Sequence, residues 1–389
     1  MALVLTEDQQ MLKTSAADFV KKESPVTRVR QLRDTDDPVG YSPQVWAKMA
    51  ELGWPAILLP EEYGGLGMGY VEIACVLEEC GRTLVPEPLL STVLLGANAV
   101  LLGGSDAQKK AILPGVADGS RTMTLAWQER GSRYDRTTCA TRAEKKDGGY
   151  VLTGEKTLVL DGATASTVVV VARTSGGEHD ADGLSMFVVD RGAAGLATVP
   201  QKTMHLRAAA IVRLSGVEVP ASALVGEEGK AAALLDDVLD RATVGLCAEM
   251  LGNMRTTFEM TLEYLKTRKQ FGVVIGTFQA LKHRAAKVFV ELELSRSAVL
   301  GAATAVDRAA ADPGNAKLAQ EARALVSVAK ARCSDAAVLA GYEGVQMHGG
   351  IGMTDEHDVG LYLKRMRGSE MTFGDAAWHR DRFATLQGF

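Results

Sequence analysis

Two runs far apart in the chain carry residue types that could hold phosphate oxygens beside an aromatic ring. The first, "YLKTRKQFGVVIGTFQALKH" (Tyr264–His283), contains Arg268, Phe271 and Gln279. Arginine presents a planar fork that takes phosphate oxygens two at a time, Phe271 offers a ring face, and Gln279 an amide donor. The second, "GVQMHGGIGMTDEHDVGLYLKRMR" (Gly344–Arg367), contains Gln346 followed by Gly349 and Gly350. That glycine pair lets backbone approach a ligand with no Cβ in the way. Singly, Arg268 reads as a solvated surface charge and the glycines as the end of a helix. Together they favour contact with a ligand over those readings. A third stretch, "KRMRGSEMTFGDAAWHRDR" (Lys364–Arg382), places Asp375 and His379 among basic residues, and both types can move a proton.

The 389 residues that must position these groups are 47% hydrophobic and 23% charged, a globular composition with room for two or three cores. A net charge of -5 argues against nucleic acid, which needs clustered positive charge. The opening "MALVLTEDQQMLKTSAADFVKK" has charges throughout and no apolar signal core, and reads as mature, cytoplasmic sequence. The apolar run "STVLLGANAVLLGG" is shorter than a membrane span and broken by Gly96 and Asn98, so no membrane is expected. Cys75, Cys80, Cys139, Cys247 and Cys333 lack metal-type spacing; buried thiols in a reducing compartment are expected, and no metal.

The hydrophobic period changes twice along the chain. Met11, Leu12, Ala16, Phe19 and Val20 form a helical stripe opened by Thr6 as N-cap. Ser42-Pro43 reads as a cap with proline at the first helical position, and Gly53 as that helix's stop. The glycine-rich "LPEEYGGLGMG" leads to a helix from about Tyr70 to Cys80, and the first third is helical throughout. From Met123 the pattern becomes short extended runs between turn signals such as "KDGG", with Val168–Val171 reading as a buried strand. After "ASALVGEEGK", three long helical segments follow: Leu234–Lys266, Phe278–Ala311 and Asn315–Gln346. The expected architecture is α+β: an N-terminal α-helical domain (1–121), a middle β-barrel-like domain (122–230) and a C-terminal four-helix bundle (231–389).

The first two runs, with "FGDAAWHR", "LPEEYGGLG" and "GEKTLVLDGATA", resemble the acyl-CoA dehydrogenase family over essentially the whole chain. The resemblance implies FAD, whose adenine and pyrophosphate would be gripped by Arg268, Phe271, Gln279, Gln346, Gly349 and Gly350 for a flavin seated mostly in a neighbouring subunit. It further implies an acyl-CoA substrate, electron-transferring flavoprotein as electron acceptor, and a homo- or hetero-oligomer, most simply a tetramer. Family members remove an α-proton from the thioester while the β-hydrogen leaves as hydride to the flavin. Some, acting on bulky or steroid side-chain thioesters, are mixed tetramers with non-catalytic subunits.

The chain departs from the family pattern at the chemistry itself. The usual glutamate base falls at Phe373, which cannot accept a proton. The family's alternative glutamate position falls at Ala242, just after Asp240 and Arg241. Asp375 is the nearest carboxylate and the candidate base, or else the N-cap of a following helix; Asp240 and Glu129 are further candidates. His283, His348 and His379 read as structural histidines. At the flavin end, the family's T-E-P-x-x-G-S-D run is "QERGSRYD" (Gln128–Asp135), and K-x-W-I-T-N is "KTLVLD". Leu158 thus stands for an aromatic ring and Leu160 for a hydroxyl, or both simply fill a β core. Two readings follow: a dehydrogenase with a relocated base, or a non-catalytic subunit contributing its clamp to a partner.

Overall fold

The computed structural model describes residues 4–389; the first three residues of the expected N-terminal domain lie outside the described residues. Six helices build that domain: α1 (Glu7–Glu23), α2 (Val26–Asp34), α3 (Pro43–Glu51), α4 (Tyr70–Arg82), α5 (Asn98–Gly103) and α6 (Asp106–Ala117). Thr6 caps α1 in a reciprocal capping box with Gln9, and Ser42 caps α3 with Pro43 at its first position. Gly53, at φ +76°, turns the chain out of α3. One feature is not legible in the sequence. Leu90–Ala97 is a π-helix, continuous with α5. Its extra residue per turn brings Gly96 against the β domain, where a Cβ would stand 2.4 Å from Met123 Cβ. Ser91 donates to Asp161 at 2.5 Å, and Thr92 Oγ1 accepts the Met123 amide at 3.2 Å. Such bulges concentrate at functional sites.

The middle domain holds β1 (Met123–Ala126), β2 (Arg142–Lys146), β3 (Gly149–Leu160), β4 (Thr167–Arg173), β5 (Leu184–Asp190), β6 (Leu196–Gln201), β7 (Ala209–Pro220) and β8 (Leu224–Val225). The strand order is β6-β7-β3-β2-β4-β5-β8, with β1 parallel to β4. A single pair, Arg142 with Arg173, joins the two halves of this mixed sheet. The halves face each other across Tyr150, Leu152, Val168, Val170, Phe187 and Val212, giving the domain its own barrel-like core. All seven residues of β4 are buried, as the uninterrupted valines imply.

The bundle is built on α7 (Ala231–Thr267), α8 (Gln279–Ala311) and α9 (Ala316–His348), followed by α10 (Val359–Met371) and α11 (Ala376–Leu386). A small hairpin of β9 (Lys269–Gln270) and β10 (Val273–Val274) links α7 to α8. α7 is the central helix, packed against α4, α8, α9 and α10. It approaches α4 closely through two glycines: a Cβ at Gly252 would lie 1.9 Å from Glu78 O, and one at Gly81 2.1 Å from Glu249 O. All five cysteines are buried and unbridged. Among the described residues no helix is long and apolar enough to cross a membrane.

Candidate functional site

The C-terminal ends of α7 and α9 lie at the same end of the bundle, where the Tyr264 and His348 rings pack at a tilt of 32°, centroids 4.7 Å apart. Around this end lie the residues that the sequence leads one to expect as a clamp. Arg268 terminates α7, Phe271 sits in the β9–β10 turn at φ +53°, and Gln279 opens α8. Gln346 lies in the last turn of α9, and Gly349 follows at φ +64°, a conformation suited to glycine. All six side chains or backbones are exposed; Phe271 is 90% exposed. A Cβ at Gly349 or Gly350 would meet nothing within 4 Å. Among the described residues Arg268 has no carboxylate partner. These six residues form an open surface whose donors and ring face solvent. His348, beneath it, is buried and bonds through Nδ1 to Gly344 O at 2.7 Å, with burial lowering its pKa.

The second locus is the turn between α10 and α11. Phe373 occupies it at φ +62°, 7% exposed and packed into the main core. A bulky residue in this region costs of order 1–3 kcal/mol. Gly374 follows at φ +113°, and a Cβ there would stand 2.5 Å from the Trp378 ring. Asp375 Oδ1 accepts the Trp378 amide at 2.9 Å, making it the N-cap of α11. Beneath the turn, the buried Lys330 ammonium donates to Gly374 O at 2.6 Å, Glu370 O at 2.8 Å and Ser334 Oγ at 3.1 Å. His379 Nε2 faces Phe373 O at 3.2 Å. Burial brings Lys330 down to about 8 and His379 down to about 2, so the imidazole is neutral.

The other carboxylate candidates are engaged. Asp240 is 4% exposed; Arg136 reaches one oxygen at 3.0 Å and Arg382 the other at 2.7 Å. Both guanidiniums also flank the Trp378 ring, at 5.1 and 5.7 Å. Ala242 is fully buried beside it. Glu129 pairs with Lys156 at 2.6 Å and accepts the Ala140 and Thr141 amides; burial opposes ionisation, but the Lys156 charge and these bonds bring it down to about 2. It is a structural anion of the β domain. His283 is exposed on α8.

At the flavin end the two leucines separate. Leu158 stands at φ +51°, 47% exposed, its amide donating to Gln201 Oε1 at 2.9 Å. Leu160 is 8% exposed and belongs to the core, its carbonyl accepting Thr124 Oγ1 at 2.6 Å. Sequence pattern alone misses two groups. One is Lys330, legible only as a charge on the apolar stripe of Val326, Cys333 and Ala337. The other is Glu249, a buried carboxylate on α7 bonded to Arg207 and, at 2.9 Å, to Arg365. Arg365 continues to His205 O at 2.9 Å and so ties the bundle to the β domain.

Models of the N-terminal, middle and C-terminal domains of acyl-CoA dehydrogenases match residues 6–120, 124–217 and 232–385. A probable acyl-CoA dehydrogenase of Bacillus subtilis, YngJ, is 31% identical over 386 residues, spanning 98% of each chain. The chain belongs to the acyl-CoA dehydrogenase family. Among solved members of this family, butyryl-CoA dehydrogenase from Megasphaera elsdenii superposes with a TM-score of 0.89 at 25% identity over the full length of both chains. The ChsE4–ChsE5 complex from Mycobacterium tuberculosis gives 0.86 at 27% identity, again over both full lengths. This family member therefore keeps the complete three-domain fold.

Proposed function

We propose that this chain serves the α,β-dehydrogenation of an acyl-CoA thioester as the subunit that contributes its adenine and pyrophosphate clamp to a catalytic partner. The clamp fits FAD: Arg268 suits the pyrophosphate oxygens, Phe271 the adenine face, Gln279 and Gln346 amide contacts, and Gly349–Gly350 a close backbone approach. FAD, when bound, supplies the hydride acceptor, and electron-transferring flavoprotein would take the electrons onward. The observation that carries the reading is Phe373, buried where a base is needed, while Asp240 and Glu129 are locked in ion pairs. The two-name complex among its structural relatives supports a mixed assembly, a tetramer being its simplest form.

A self-sufficient enzyme with Asp375 as the base is the second reading. It is favoured by the position of Asp375 two residues beyond Phe373 and by the Tyr134 phenol beside it, whose pKa is raised by burial and by the Asp375 charge. The two separate in one measurement: the visible spectrum of the protein purified alone, with released FAD counted per chain. The first reading expects a nearly colourless protein. Stoichiometric FAD that bleaches on adding butyryl-CoA would overturn it and point to Asp375.

A further inference from the structure

A turn joining two helices has no intrinsic need for a buried ammonium or for a bulky residue at positive φ. Between α10 and α11 both are present. Lys330 is fully buried, and none of the described carboxylates lies within ion-pair distance of it. Its three N–H donors are taken by Ser334 Oγ, Glu370 O and Gly374 O. Burying a charge without a counter-ion is unfavourable, and a methionine of similar length would fill the same space at less cost. His379, also fully buried, reaches a third carbonyl of the turn, Phe373 O. Carbonyls on both sides of position 373 are thus fixed from beneath by two nitrogens, one on α9 and one on α11. Gly374 adds a third constraint, since Trp378 and His379 fill the space its Cβ would need.

We propose that Lys330 and His379 are positioning residues that hold the Glu370–Asp375 turn in a base-presenting geometry, so that the side chain at 373 alone, not the backbone around it, withholds proton abstraction from this chain. For its chemical meaning this rests on the reading above; its test needs neither flavin nor thioester. A carboxylate at 373 would enter an apolar, 7% exposed slot. Lys330 has no N–H left to pair with it. The groups facing Lys330 are Cys247 of α7, Cys333 of α9, Glu370 of α10, and Asp375 and His379 at α11; Arg136 and Arg382 lie beyond His379. In such a slot a carboxyl is pushed up toward the neutral range that a general base requires.

The experiment compares urea unfolding of Phe373→Glu and Phe373→Gln, each with Lys330 intact and with Lys330→Gln, between about pH 4.5 and 7.5. A carboxyl raised in the folded state contributes its stability below its unfolded value and loses it as pH rises through the folded value. With Lys330 intact, the ratio of folding constants, Glu over Gln variant, should therefore fall at least about fourfold across this range, as it does when folding raises a carboxyl by about one pH unit from its free value of about 4.3. With Lys330→Gln the turn opens, the carboxyl is solvated, and the ratio should be flat. A flat ratio with Lys330 present overturns the proposal. So does an unchanged slope without it, because losing a lysine that only adds stability would lower all variants equally. Should Phe373→Glu fail to fold, amide exchange decides: Lys330→Gln alone should exchange residues 370–375 at least about tenfold faster than wild type, with α7 unaffected. Unchanged exchange there overturns the proposal equally.

Discussion

Among single residues, the heaviest structural commitment is Glu249. Burial alone would raise its pKa, yet Arg207 and Arg365 hold it ionised and below the usual carboxylate range. Arg365 is itself 1% exposed, so removing the carboxylate leaves a buried guanidinium uncompensated. Glu249→Gln is expected to destabilise the chain by about 3–5 kcal/mol, the range for breaking a buried pair from one side. Urea unfolding at constant m-value checks this; a loss below about 1 kcal/mol would mean solvent reaches the cluster. The same pair explains why the 205–209 segment stays packed on α10, where a Cβ at Gly368 would stand 2.2 Å from His205. Residue chemistry here maintains a domain junction.

For the elements, α7 is decisive because it touches both halves of the helical structure. Its crossing with α4 is so close that Gly252 faces the Glu78 carbonyl with no room for a methyl group. Gly252→Ala is expected to cost about 1–3 kcal/mol or more through overpacking. Gly301→Ala, on α8, is the control: a Cβ there meets nothing within 4 Å. That substitution should stabilise by up to about 1 kcal/mol through helix propensity. Opposite signs for two Gly→Ala changes in one bundle, read from chemical unfolding, would confirm that the glycines serve different ends. The π-helix belongs to this scale too. Its seating depends on Gly96 meeting Met123, and hydrophobic periodicity alone gives no sign of it.

In the whole molecule, α8 and α9 expose several large apolar side chains. Val290 and Leu294 are about half exposed on α8, as is Phe289, which stacks on Phe258 of α7; Val328 and Tyr342 are exposed on α9. Exposed apolar patches of this kind mark association surfaces. Val290→Asp with Leu294→Glu is expected to lower the particle mass seen by light scattering while leaving the helical signal intact. An unchanged mass would place the contact elsewhere. The clamp makes a complementary prediction. Arg268 is exposed and holds no partner among the described residues, so Arg268→Ala should change the isolated chain's stability by less than about 0.5 kcal/mol. The same change should cut FAD retention by the assembled complex at least tenfold. Loss of stability instead would make Arg268 structural.

The sequence by itself determined the element order, because helical and strand periods depend on neighbours a few residues away. Thr6 and Ser42 as caps, the valine strand and the three long bundle helices all appear where local pattern places them. It also pointed to the residues proposed as a clamp, which the fold places at neighbouring helix ends. Only tertiary structure decided which remaining charges are free. Asp240 and Glu129 look available in the sequence; their partners, Arg136, Arg382 and Lys156, arrive from distant segments. Leu158 and Leu160 look alike in the chain, yet the fold exposes one and buries the other. Lys330 is one more helix lysine until α10 and α11 close over it. Charge availability and burial are properties of the packed chain, set by contacts between segments that local periodicity does not encode.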